Sequence, residues 1–317
     1  MSYVQTVLGP IAPEEVGLCA MHEHVFFGPP GWEYDPFALA REVLANPAKV
    51  YEKIWYDFMD FREAGGRTFV DTSGIAAGRD VEQYVMLAQN TGVHLVACAG
   101  FWETRGILPY FACRDVDYFE ELMVRDLTEG MEGTTVKAGI IKVACGRIMT
   151  PLEEAIFRAA ARAAKRTGCA VTTHGVEQAL HQTDIFLEEG IDPDRVIIGH
   201  LESGHCLDIE RDKEIARRGF YVGYDHIGTE PTWSRAVYAM PDEERIPLIQ
   251  AVIEAGYLDR VILSNDTNGQ SSHRPTQFHP YSHLFRVFVP KMRSFGITDD
   301  QVRVMLVENP KRVLPMG

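Results

Sequence analysis

The sequence predicts an α/β protein folded as a single-domain TIM (β/α)8 barrel over residues 1–317. Three observations predict it. Eight short apolar runs recur along the chain, each followed by a polar loop and most by a helix candidate. The runs are rich in Val, Ile, Phe and Cys without strict alternation, as parallel strands covered on both faces are. Residues able to bind metal gather at the same end of five of the eight runs, the end at which such barrels do their chemistry. An open doubly wound sheet is the competing architecture, weakened by the absence of any GxGxxG or GxxxxGKS/T segment.

The runs fall at 17–27, 67–74, 93–102, 138–145, 169–176, 195–202, 220–226 and 260–266. Between them, 47–64 carries apolar residues at helical spacing and stops at Gly65-Gly66. Helices at 80–89 and 117–129 stop at Thr91-Gly92 and Gly130. The helix at 151–167 opens with Thr150-Pro151-Leu152-Glu153, an N-cap, a first-turn proline and an acidic first turn, and stops at Gly168. Stretches 183–189, 209–218 and 242–255 fill the remaining gaps, and 299–307 runs into Glu308-Asn309-Pro310. No composition shift marks a linker.

Composition narrows the function classes. Of 317 residues, 46% are hydrophobic and 24% charged, enough apolar material for a large core. The net charge is −14 and no basic run stands out, which argues against nucleic acid and against an anionic membrane surface. The six cysteines (19, 98, 113, 145, 169, 206) form no CxxC pair, and four sit in apolar runs, so they read as core residues of a reducing compartment. With no charged and apolar leader pattern at the start and no apolar span of membrane length, a cytoplasmic location is expected.

The chemistry begins at Met21-His22-Glu23-His24. Residues two apart on a strand project from one face, so His22 and His24 can meet one metal ion while Glu23 turns away. The run at 138–145 carries Lys142; later runs end in Thr173-His174, Gly199-His200 and Asn265-Asp266. Each has an ordinary alternative: chance for one His pair among eleven histidines, a lysine stem covering apolar surface, hydrogen-bonded structural histidines, an aspartate capping a helix. The set carries the inference. Four histidines, one aspartate and a lysine suffice for two metal ions if the lysine becomes an anion, and carbamylation by CO2 makes it one.

In that order (HxH, then Lys, His, His and Asp) the chain resembles the amidohydrolase superfamily, and within it the phosphotriesterase and phosphotriesterase-like lactonase family. The likeness runs through 4–10, Met21 to His24, 139–142, Thr173-His174, 198–201, Gly223 to His226, Ser264 to Asp266 and 308–312. The resemblance implies that His22, His24 and Asp266 bind the more buried ion and His174 and His200 the more exposed one. Lys142, carbamylated, and a hydroxide bridge the two. Zinc is the default, with cobalt, manganese or iron fitting the same ligation. It implies a hydrolase that opens lactones, with weak phosphotriesterase activity, and phosphotriester, ester or amide hydrolysis as the alternatives on the same site. A non-catalytic barrel with a structural metal site is the remote one. A homodimer is what the family implies. Asp266 would take the attacking proton and pass it to the leaving group, with Lys142 and His226 as its catalytic partners.

The chain also departs from the family pattern. His226 follows Asp225 where many lactonases have Arg, and the relay's next acid is replaced by Ser203, with Glu202 beside it. Trp102 stands where lactonases carry a Tyr, and an indole donates but cannot accept. Trp102, Arg274 and Tyr281, with Trp32, Tyr34, Phe278 and His279, are expected to wall the substrate pocket; Arg274 would pair a carboxylate or phosphate.

Overall fold

A computed structural model describes residues 2–28, 30, 31, 47–231, 236–269 and 280–317, with only the backbone of residue 47. An antiparallel hairpin, β1 (Val4–Thr6) and β2 (Gly9–Ile11), comes first. The barrel strands follow: β3 (Leu18–Glu23), β4 (Gly66–Asp71), a strand broken at Ala97 into β5 (His94–Val96) and β6 (Cys98–Gly100), β7 (Ile140–Ala144), β8 (Val171–His174), β9 (Val196–Ile198), β10 (Tyr221–Tyr224) and β11 (Val261–Leu263). Neighbours pair in parallel in chain order, β3 to β5 and β6 to β11. The barrel closes just beyond β11: the His24 N–H donates to the Thr267 carbonyl at 2.9 Å and the Asp266 N–H to the His22 carbonyl at 3.0 Å.

The interior is filled by one or two apolar residues from each strand, among them Cys19, Met21, Val70, Val96, Ile140, Ile197, Tyr221 and Ile262. Counting onward by twos along the strands leads from Ile140 to Lys142, from Ala170 to His174, from Tyr221 to Asp225 and from Ile262 to Asp266. The strand period itself therefore lifts these side chains out of the apolar plug and into one layer. On β3 a register shift between Ala20 and Glu23 breaks the period, so that Met21 fills the interior and His22 reaches the same cavity.

The predicted helices form at Pro47–Glu63, Val81–Thr91, Val116–Thr128, Pro151–Thr167, Ala179–Glu189, Ile209–Arg217 and Asp242–Glu254. Thr150 caps its helix as its sequence suggests, in a reciprocal box with Glu153. Two departures come from proline. Asp299–Arg303 continues through a π-turn, Val304–Glu308, into Asn309–Val313, so Pro310 does not stop it. A helical stretch over Leu284–Phe288 and Val289–Ser294 lies where no helix was predicted. In both, a wide turn ahead of the proline absorbs its missing N–H and bulky ring. All six cysteines are free, and Cys19, Cys98, Cys145 and Cys169 are buried. Among the described residues no helix is long and apolar enough to cross a membrane.

Candidate metal centre and its cavity

His22, His24, Lys142, His174, His200, His226, Asp266 and Trp102 line one cavity of about 350 Å³ at the C-terminal end of the strands. Two other expectations turn out differently. Tyr281 is not in the wall: it is fully buried against Phe58 and Phe69, and its hydroxyl donates 2.8 Å to the His24 carbonyl. Edge-to-face contacts with Phe58 and Phe69, and a carbonyl partner for its hydroxyl, claim the ring for the core. Arg274 lies outside the described residues, as do Trp32, Tyr34, Phe278 and His279.

Each imidazole is oriented from behind. His24 Nδ1 meets Ser73 Oγ at 2.8 Å, and that hydroxyl donates its own proton to the Phe26 carbonyl at 2.6 Å. His24 Nδ1 is therefore the donor to Ser73, and the neutral ring then has its lone pair on Nε2. That lone pair lies 3.0 Å from Asp266 Oδ1, so two acceptors confront each other across hydrogen-bond distance. Asp225 does the same service for two rings. Its Oδ1 is 2.6 Å from His200 Nδ1, and its Oδ2 is 3.1 Å from His22 Nδ1, off the angle of a good hydrogen bond. Lys142 Nζ stands 2.6 Å from His22 Nε2. His174 packs edge-on to His200 at 4.4 Å between ring centres, and its ring makes no hydrogen bond to any described residue.

Burial keeps these groups in forms a cation can use. It pushes His22 down to about 3, with the Lys142 charge adding to the effect, and lowers His174 well below the ordinary histidine value. It pulls Lys142 down to about 8. Burial alone would raise Asp266, but His226, His24 and His200 close around it outweigh burial and hold the carboxyl well below its usual range. His22, His24 and Asp266 bring ligand atoms within 4.8 Å of one another, as do His200, His226 and Asp266. Neutral imidazole nitrogens and a carboxylate facing one point, with two acceptors 3.0 Å apart, are a donor set that fits a divalent cation.

Backbone strain marks the same place. His200 and Asp266 are held at φ of 62° and 52°, a region non-glycine residues seldom occupy. Glu23 explains part of this. Its carboxylate turns from the cavity to the β11 turn, accepting from Ser264 Oγ at 2.7 Å and from the Asn265 and Thr267 N–H groups, both at 2.8 Å. It clamps the turn that presents Asp266, and burial raises it to about 8 against those three donors. Gly199 makes room for Asp225: a Cβ there would come 2.8 Å from Asp225 Oδ2.

His226 stacks on His200 at 4.1 Å and puts Nε2 3.3 Å from Asp266 Oδ2 and Nδ1 3.2 Å from Ser203 Oγ. Phe27 and Trp102 meet edge to face at 5.0 Å beside His24. Arg105 lies over Trp102 and pairs with Glu103, while Arg147 pairs with Glu177 at 3.2 Å; both arginines are exposed at the mouth. Sequence reasoning passed over Asp225 as a site residue, although it follows a barrel strand at the end where the other candidates gather, two places along the strand face from Gly223.

Comparison with known proteins places this geometry. The model of the phosphotriesterase family matches residues 2–314. The chain is 30% identical over 342 residues to the N-acetyltaurine hydrolase of Xenopus tropicalis, covering 98% of this chain and 97% of that one. It is 29% identical over 342 residues to a phosphotriesterase homology protein of Mycobacterium tuberculosis, covering 99% and 98%. Among solved structures, the organophosphorus hydrolase from Deinococcus radiodurans superposes with a TM-score of 0.86 at 30% identity, covering 98% of this chain and 96% of that one. A mutant of a phosphotriesterase-like lactonase from the same organism does so at 0.86 and 30%, covering 98% and 99%.

Proposed function

The chain belongs to the phosphotriesterase family and is a metal-dependent hydrolase, and we propose that it opens lactone rings at a pair of divalent cations. In this reading His22, His24 and Asp266 would hold one ion and His174 and His200 the other, with Lys142, carbamylated, as a further ligand. The observation that carries it is His24 Nε2 set 3.0 Å from an Asp266 oxygen, with His24 Nδ1 turned away to Ser73 and His22 bringing a third ligand atom to the same point. His174 and His200 alone are a thin ligand set, which is why a carboxylated Lys142 beside them belongs to the proposal. Divalent cations bound there would supply Lewis acidity towards water and a carbonyl.

The remaining steps belong to the chain's own groups. Asp266 accepts the proton of the attacking water, with its second oxygen steadied by His226. Phe27 and Trp102 pack against the apolar part of the substrate and keep bulk water away from the carbonyl. The ring oxygen leaves with its electron pair and takes the proton from Asp266, giving a hydroxy acid. Arg274 is proposed to bind a substrate anion. Zinc is the proposed metal, and weak turnover of phosphotriesters is expected from the same site.

A second reading, amide hydrolysis, has its own support: the relatives named N-acetyltaurine hydrolase match over the whole chain. Arg105 and Arg147 at the mouth would pair the sulfonate of such a substrate. A panel of lactones, acyl-homoserine lactones, aryl esters, N-acetyltaurine and paraoxon-like triesters, assayed with metal-reconstituted protein, separates the two. Lactone opening is expected to lead the panel, with about two metals per chain and loss of turnover in Lys142→Ala. Faster cleavage of the amide would replace the lactone reading, and a metal-free active enzyme would sink both.

A further inference from the structure

The loop after β10 carries a group that the reading above leaves unused. Tyr238 lines the cavity with its ring stacked on His226, 4.3 Å between centres and 17° between planes. His200, His226 and Tyr238 thus form one column of rings, the last of which ends in a phenol. That hydroxyl makes no hydrogen bond to any described residue. Burial, helped by the nearby Asp266 charge, pushes the phenol up, so it stays protonated and can only be a donor towards an anion.

The loop is held where it is by a foundation that has no other evident task. The Arg245 side chain, fully buried, donates to the Met240 carbonyl, to the Thr229 carbonyl at 2.9 Å and to Asp242 Oδ1 at 2.9 Å. Asp242 in turn accepts from the Gly228 N–H at 2.8 Å and lies 2.7 Å from His283 Nε2. From the other side, the Gly204 N–H donates 3.2 Å to the Tyr238 carbonyl, and a Cβ on Gly204 would stand 2.9 Å from the Ala239 carbonyl oxygen. Nε of Arg245 has no partner among the described residues, but the bonds of its two end nitrogens to Thr229, Met240 and Asp242 tie the chain on either side of Tyr238 together.

We propose that Tyr238 is a catalytic hydrogen-bond donor to the leaving oxygen of the substrate, positioned by the Arg245–Asp242 anchor. The inference rests on the hydrolase reading above. Asp266, the group that would return the proton, sits against the same His226 ring that Tyr238 covers, and both line the one cavity. When the bond between the acyl carbon and that oxygen breaks, the oxygen takes the electron pair. The proton it finally gains is the one Asp266 took from water. Tyr238 keeps its own proton and stabilises the charge in passing.

Tyr238→Phe keeps the stack and removes only the donor. The test uses metal-loaded enzyme and a series of aryl esters and aryl phosphotriesters whose phenols differ in acidity. Metal content and Tm are expected to match wild type. The value of kcat/KM should fall about 10²-fold on the least acidic phenol and little on the most acidic, steepening the dependence on leaving-group pKa. Gly204→Ala, which displaces the loop, should reproduce that steepening, and adding it to Tyr238→Phe should cost little more. An equal fall across the series, or none, overturns the proposal. A wild type that cleaves the aryl series but no lactone overturns only the lactone reading; a wild type inert to every substrate overturns both.

Discussion

Ser73 decides what His24 can be. Because its hydroxyl donates to the Phe26 carbonyl, it can only accept from the histidine, and the tautomer is fixed before any ion arrives. Ser73→Ala is expected to weaken metal binding about 10–100-fold, read by chelator competition, with the metal-free fold kept. Asp266→Asn keeps the shape but removes the proton acceptor and the anionic charge proposed to face the metal; kcat of enzyme saturated with metal should fall about 10²–10⁴-fold, with kcat/KM falling alongside. At this scale most of the cavity was legible. His22, His24, Lys142, His174, His200 and Asp266 could be named because strand ends and a two-residue period are visible in a sequence. Ser73, Asp225 and Tyr238 were not, because their work is defined by a partner ring on another strand. Tyr281 shows the converse: an aromatic beside a substrate loop looks like a wall, yet only packing tells wall from core.

Elements hold the cavity's rim through few contacts. Glu153 serves as the N3 residue of the Pro151–Thr167 helix and as a tie between loops, accepting from the Thr150 and Thr104 N–H groups at 2.8 Å each and from Gly146 at 3.2 Å. Thr150→Ala removes one cap and should cost about 1 kcal/mol. Glu153→Ala strands three donors at the partly exposed rim and should cost about 1–3 kcal/mol, both measured by urea unfolding. Equal losses in the two variants would contradict the tie. The helix borders were readable from caps and glycines wherever those signals exist. The stretch over Leu284–Phe288 and Val289–Ser294 was not, since Pro290 reads as a breaker and the π-turn that accommodates it has no signature in residue type.

Across the whole molecule, stability should follow both metal and pH. Chelation is expected to lower Tm and abolish turnover together, and added zinc or cobalt should restore both, because a ligand that binds only the folded state stabilises it by mass action. The pH response has a separable part at Asp212. Burial raises its carboxyl to about 6, against the opposing Arg211 charge and the Tyr224 hydroxyl. The folded state thus holds a proton that the unfolded chain has already lost, and this group's contribution to stability falls as pH rises from about 4 to 6, by at most about 3 kcal/mol. Asp212→Asn should gain stability relative to wild type across that window in denaturant titrations; a parallel offset at every pH would rule the group out. The barrel itself was legible from eight runs in order. The break at Ala97 and the bulge in β3 were not, as both depend on where neighbours pair.

The seam between β3 and β11 makes completion of the fold and assembly of the site one event. His22 and Ser264, 242 residues apart in sequence, are joined at 2.8 Å by an N–H to hydroxyl bond, and Glu23 secures the turn that carries Asp266. Under the proposed ligation, a chain that has built seven strands has the histidines and Lys142 in place yet lacks the Asp266 carboxylate. A nascent or partly opened protein would then bind metal weakly and expose no half-active centre, and bound metal would report that the circle has closed.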